Sequence, residues 1–125
     1  PQSVPRTLQL IQERKTFLYE VAPAKLVIVM PHYIVLGNYT EQGIRSVKDS
    51  VKRDEDARRM IERAGGKVQL YYTLGECDFV AVLEMSSDEA LLKFLLQVGS
   101  SGNVRTKTLK AWTESEAHKA MSQLP

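Results

Sequence analysis

The reversal at Gly75-Glu76 constrains this chain more than any other feature. The segments on its two sides, Lys67 to Leu74 and Cys77 to Met85, read as two strands. A glycine at the first central position suits a two-residue type II′ hairpin turn, which sets the strand register. Leu74 then faces Cys77, Thr73 faces Asp78, Tyr72 faces Phe79, Tyr71 faces Val80, Leu70 faces Ala81 and Val68 faces Leu83. Opposed residues share a face of the sheet. One face is expected to be apolar (Val68, Leu70, Tyr72, Leu74, Cys77, Phe79, Ala81, Leu83) and the other mixed (Lys67, Gln69, Tyr71, Thr73, Asp78, Val80, Val82, Glu84).

The rest of the chain supplies what such a hairpin needs. Tyr33–Tyr39 is a β-rich run bounded by Pro31 and by Thr40, a helix-capping residue. From Thr40 to Ala64, Ile44, Val47, Val51, Ala57, Met60, Ile61 and Ala64 recur at spacings of three and four, predicting an amphipathic helix with a break near Ser50. Gly65-Gly66 ends it. Ser87 caps a second helix that buries Leu91, Phe94, Leu95 and Val98 and stops before Gly99. Asn103–Trp112 is a fourth strand, and Thr113-Glu114-Ser115-Glu116 is a capping box that opens a last helix with Ala117, Ala120, Met121 and Leu124 on one side. The order βαββαβ with a C-terminal helix predicts an α+β, ferredoxin-like domain with a four-stranded antiparallel sheet. Helices on one side leave the other face bare, and a bare face carrying Tyr71, Val80 and Val82 needs a cover. A second copy of the chain is the economical one, so a homodimer through the open sheet face is expected.

Three separated segments carry a resemblance. They are Met30–Gly43 (Met-Pro-His-Tyr-Ile-Val-Leu-Gly-Asn-Tyr-Thr-Glu-Gln-Gly), Gly75-Glu76-Cys77-Asp78-Phe79, and Gly102-Asn103-Val104-Arg105-Thr106. Together, over residues 30–125, they resemble the GYD domain family, small bacterial proteins named for a Gly-Tyr-Asp triplet and without an established reaction. The resemblance implies the dimeric α+β barrel architecture. Here Cys77 stands in place of the tyrosine of the triplet, so any role of a phenol at that position is absent. Residues 1–29 lie outside the resemblance. They are read as an upstream extension, disordered or following a misassigned start; the competing reading is a real arm with a short helix around Thr7–Tyr19. Their apolar run, Leu26–Met30, is too short to span a bilayer.

Charge narrows the partners. The net charge of +2 resides in residues 1–29, where Arg6, Arg14, Lys15 and Lys25 outnumber Glu13 and Glu20, and the remainder balances. A balanced domain lacks the clustered positive field that nucleic acid requires. No nucleic-acid or membrane partner is expected. The lone cysteine, Cys77, excludes an internal disulfide and fits the cytoplasm.

Candidate site residues are Asn38, Tyr39, Tyr71, Thr73, Asp78 and Arg105, read as the lining of a small-molecule pocket. Asp78 is the candidate catalytic base, against a structural reading in which it stabilises the hairpin. Asn38 and Thr40 read equally as a turn residue and a helix cap, and Arg105 as an anion ligand or as edge protection. Cys77 reads as a small core residue. His32, Cys77, Asp78 and His118 lack ligand-like spacing, so no metal is expected. The Asn38, Trp112 and His118 set does not match the placement that haem-degrading proteins of related architecture use, and no cofactor is expected. Three functions remain open: a homodimeric small-molecule-binding or accessory module; a cofactor-independent monooxygenase or isomerase for a small aromatic or lactone-like substrate, with Asp78 as base and Tyr71 or Tyr39 as hydroxyl donor; and a purely structural dimerisation domain.

Overall fold

The computed structural model describes residues 17–21 and 25–125, with side chains from Met30 onward. Two antiparallel sheets form. β1 (Phe17–Val21) and β2 (Lys25–Val29) make a two-stranded hairpin. The helix considered for Thr7–Tyr19 is replaced by strand from Phe17 on, and its earlier part lies outside the described residues. Val21, Val27, Ile28 and Val29 are β-branched, a residue type that favours an extended backbone.

The larger sheet contains β3 (His32–Tyr39), β4 (Lys67–Tyr72), β5 (Phe79–Glu84) and β6 (Val104–Ala111) in the order β4-β5-β3-β6, every neighbour antiparallel. Helix α1 (Glu41–Arg45), a 3₁₀ turn (Val47–Asp49) and α2 (Ser50–Arg63) connect β3 to β4. Helix α3 (Asp88–Ser100) connects β5 to β6, and α4 (Glu114–Ser122) follows β6. This is the expected ferredoxin-like α+β architecture.

The β4–β5 register is the one read from the turn: Tyr72 pairs with Phe79, Leu70 with Ala81 and Val68 with Leu83. The ladder closes one rung earlier than a two-residue turn requires. Its last bond runs from the Thr73 amide to the Asp78 carbonyl, 2.9 Å, and Gly75 takes a φ of 113° that favours glycine. Leu74 and Cys77 therefore leave the sheet. Leu74 is fully exposed, and half-buried Cys77 lies beside the Thr73 hydroxyl at 3.6 Å, so neither joins the core.

The core sits between the sheet and helices α2 and α3. Tyr33, Val35, Ile61, Ala81, Leu83, Met85 and Leu91 are buried there, with Val68, Leu70, Phe94 and Leu95 packed around them. The break at Ser50 redirects the helical stripe. Ser50 and Ile61 become the buried residues of α2, while Ile44, Val47 and Val51 turn to solvent. Ser87 accepts the Ala90 amide at the start of α3, which runs through Gly99 to Ser100 and so ends later than expected. The Thr113–Glu116 capping box is formed, with both reciprocal bonds present.

Candidate functional site

Strand alternation sorts the candidate residues onto two faces. On the face away from α2 and α3, register places Lys67, Glu84, His32 and Ala111 in one row, then Gln69, Val82, Ile34 and Leu109, then Tyr71, Val80, Leu36 and Lys107. Thr73, Asp78, Asn38 and Arg105 continue this face at the hairpin end. Five of the six candidates, Asn38, Tyr71, Thr73, Asp78 and Arg105, therefore share the open face. Tyr39, adjacent to Asn38 along β3, points to the helix side.

At the hairpin end the polar groups mostly serve the backbone. The Asp78 carboxylate accepts the Tyr39 amide at 2.9 Å, the Asp78 amide donates to the Gly37 carbonyl and the Asn38 side chain, and the Thr73 hydroxyl donates to the Cys77 carbonyl at 2.6 Å. Arg105 pairs with Asn38 in the ladder, which places it on the open face, a point that pattern alone left undecided. Asn38 and Trp112 lie at opposite ends of the sheet, and His118 faces Glu114 along α4 at 3.8 Å. Among the described residues no three His, Cys, Asp or Glu side chains converge on a point that would hold a metal ion.

The cavity is on the other side of the sheet. It measures about 310 Å³, within the range of about 300–1,000 Å³ usual for small-molecule pockets, and lies between the sheet floor and α2 and α3. Val35, Leu70, Ala81 and Phe79 form the floor, Ala57 and Ile61 one wall, and Phe94, Leu95 and Val98 the other. Of the six candidates only Tyr39 lines it. Gly37 has a packing role at this end. The Phe79 ring lies against it so closely that a Cβ would stand 2.0 Å from the ring, and Tyr39 and Tyr72 flank Phe79 edge-on at 5.9 and 6.3 Å.

A line of hydrogen bonds crosses the end of the cavity near Tyr39. Arg53 donates to Ser50 Oγ (3.1 Å), which lies 3.0 Å from the Tyr39 hydroxyl; Tyr39 donates to the Tyr72 hydroxyl (3.4 Å), which donates to Asp54. The Ser50 proton goes to Tyr39 in this arrangement, because the Tyr39 proton is directed at Tyr72. A guanidinium at one end and a carboxylate at the other polarise the line in one sense. Burial of the Tyr72 hydroxyl, then its bonds to Asp54 and Tyr39, hold it protonated well above the usual phenol range, although 55% of the residue's surface reaches solvent. Sequence reasoning missed Ser50, Arg53 and Asp54. The available signal was the spacing Ser50, Asp54, Ala57, Ile61, a helical stripe whose first two members are polar where a core-facing stripe is normally apolar.

The GYD domain model matches residues 33–121. A protein of Thermus thermophilus, named glutamine synthetase and cystathionine beta-lyase binding protein, is 33% identical over 84 residues, which cover 66% of this chain and 88% of that protein. No solved structure matches. With a family model running from within β3 to within α4 and a relative aligned over most of its own length, the chain belongs to the GYD domain family.

Proposed function

We propose that this chain is a homodimeric accessory module that acts by binding. The observation that carries this reading is the open sheet face, where Ile34, Leu36, Val80 and Val82 form a half-buried apolar centre beside exposed Tyr71 and Leu109, while α2 and α3 pack on the opposite face. A second copy is the fitting occupant. Charges of both signs flank the apolar centre at both ends, Lys67 and Glu84 at one and Arg105 and Asp78 at the other. A two-fold contact brings the same patch against itself, so each end finds an opposite charge.

The name of the Thermus relative gives two enzymes as its partners. By that likeness we take the dimer's role to be engaging another protein in the cytoplasm. The oxygenase or isomerase reading draws no support from the geometry, because its proposed base, Asp78, accepts a backbone amide and lies outside the cavity.

The test is sedimentation velocity on the protein, on Leu109→Lys and on Ile34→Asp. A dimer is expected for the natural chain and monomers for both variants, with unchanged circular dichroism for Leu109→Lys, whose side chain is already exposed. A monomeric natural chain would overturn the dimer. Absence of binding to both a purified glutamine synthetase and a purified cystathionine beta-lyase would remove the protein-partner role.

A further inference from the structure

We propose that the cavity between the sheet and helices α2 and α3 is a binding site for a neutral, mostly apolar small molecule that carries one hydrogen-bond-accepting oxygen, held with that oxygen at Tyr39 and its apolar body toward Leu83. The site lies on the opposite face from the proposed dimer contact and does not depend on it.

Polarity along the floor sets the orientation. From the end of β3 inward, register gives Tyr39 beside Val104, then Gly37 beneath Phe79, then Val35 with Ala81 and Leu70, then Leu83 with Val68. Hydroxyls are concentrated in the first two rows, where Tyr39, Ser50 and Thr106 line the cavity, and the floor beyond them, Val35, Ala81, Leu70, Leu83 and Val68, is apolar. Tyr39 to Val35 alone spans about 13 Å at the rise of a β-strand, room for a medium alkyl chain or a pair of fused rings. Interiors normally close to crystal-like density. Here alanines at 57 and 81 leave the space that larger side chains would fill.

Charge excludes ionic ligands. Four charged side chains reach the cavity, two of each sign, and every one is engaged. Arg53 donates to the Ser46 hydroxyl and carbonyl and to Ser50, Asp54 accepts Tyr72, Asp56 lies 3.9 Å from Arg59, and Arg58 donates to the Val68 carbonyl. The four charges cancel and each is already bonded or paired, so the lining offers an ammonium or carboxylate no net opposite charge to offset its lost hydration. A single neutral oxygen does find a partner. The Tyr39 proton goes to Tyr72 over 3.4 Å, long for a bond between hydroxyls, so Tyr39 gains by turning its proton to a ligand oxygen while Ser50 continues to donate to it.

The experiment is an amide chemical-shift titration with three probes that share an eight-carbon body, 2-octanone, octanoate and octylammonium. Saturable shifts are expected with 2-octanone, on Ala57, Ala81 and Val98 and not on Tyr71 or Lys107, with the charged probes at least tenfold weaker. Tyr39→Phe should weaken 2-octanone by up to about tenfold, the reach of one neutral hydrogen bond. Ala57→Leu and Ala57→Phe should abolish binding by occupying the space, and Leu109→Lys should leave it unchanged. If Ala57→Phe does not fold, Ala57→Leu carries the test. The proposal is overturned by absence of saturable shifts, by shifts centred on the open face, by charged probes binding as well as the ketone, or by Ala57 variants that bind like the natural chain.

Discussion

Tyr33 and Tyr72 each donate a hydroxyl proton to a carboxylate, Asp88 and Asp54 respectively. Asp88 also takes Lys110 at 3.1 Å, so Tyr33 ties β3 to the first turn of α3 through a shared anion. For both tyrosines, burial first and the neighbouring carboxylate second raise the pKa well above that of a free phenol. The sign of the consequence follows from linkage. Below about pH 10 both groups are neutral whether the chain is folded or not. Above it the unfolded chain gives up protons that the folded chain retains, so stability falls as pH rises from the unfolded pKa toward the folded one. Urea unfolding between about pH 9 and about pH 11 should show that fall, and it should be shallower in the Tyr33→Phe, Tyr72→Phe double variant. An equal slope in the two proteins would mean that other groups control the alkaline limit.

At the scale of elements, the helix between β3 and β4 shows what local pattern conveys and what it leaves out. A run of apolar residues at helical spacing over 40–64 identifies a helix and even its break. It does not reveal that the break rotates Ile44, Val47 and Val51 outward and brings Ser50 and Asp54 toward the sheet, because the direction of the stripe is set by packing against β4 and α3. The hairpin register was legible for the opposite reason: the reversal at Gly75-Glu76 is local, and although the ladder closes at Thr73 and Asp78, one rung before a two-residue turn would close it, the same centre sets the same pairing. The cavity was not legible. It arises where two helices from distant parts of the chain meet one sheet face, and the residues that line it read individually as ordinary core. Helix α4 is a simpler case. Its Met121 is exposed, as is Leu124 just beyond it, so the helix depends on its cap more than on packing. Thr113→Ala should cost about 1 kcal/mol of local helix stability. Hydrogen exchange should report this as faster exchange over residues 117–122, with the thermal midpoint nearly unchanged. A large fall in that midpoint would show that α4 is part of the cooperative core.

For the whole molecule, the sheet and core assign the stability to one region. Every rung of the four-stranded ladder lies between His32 and Ala111, and every residue of the described core cluster lies between Tyr33 and Leu91. The β1–β2 hairpin adds no strand to that ladder, and a two-stranded hairpin alone is marginal in water. A chain beginning at Met30 should therefore fold cooperatively, with a thermal midpoint within about 5 °C of the full chain, which for a domain of this size corresponds to about 1 kcal/mol. It should also sediment as the full chain does, since the open face takes all its residues from His32 onward. Differential scanning calorimetry and sedimentation on the two lengths decide the matter together. Loss of a cooperative transition would make residues 1–29 part of the folding unit. Retention of the transition with loss of the dimer would place them at the contact between subunits, so the apolar centre around Ile34 and Val82 would not suffice to hold two copies together.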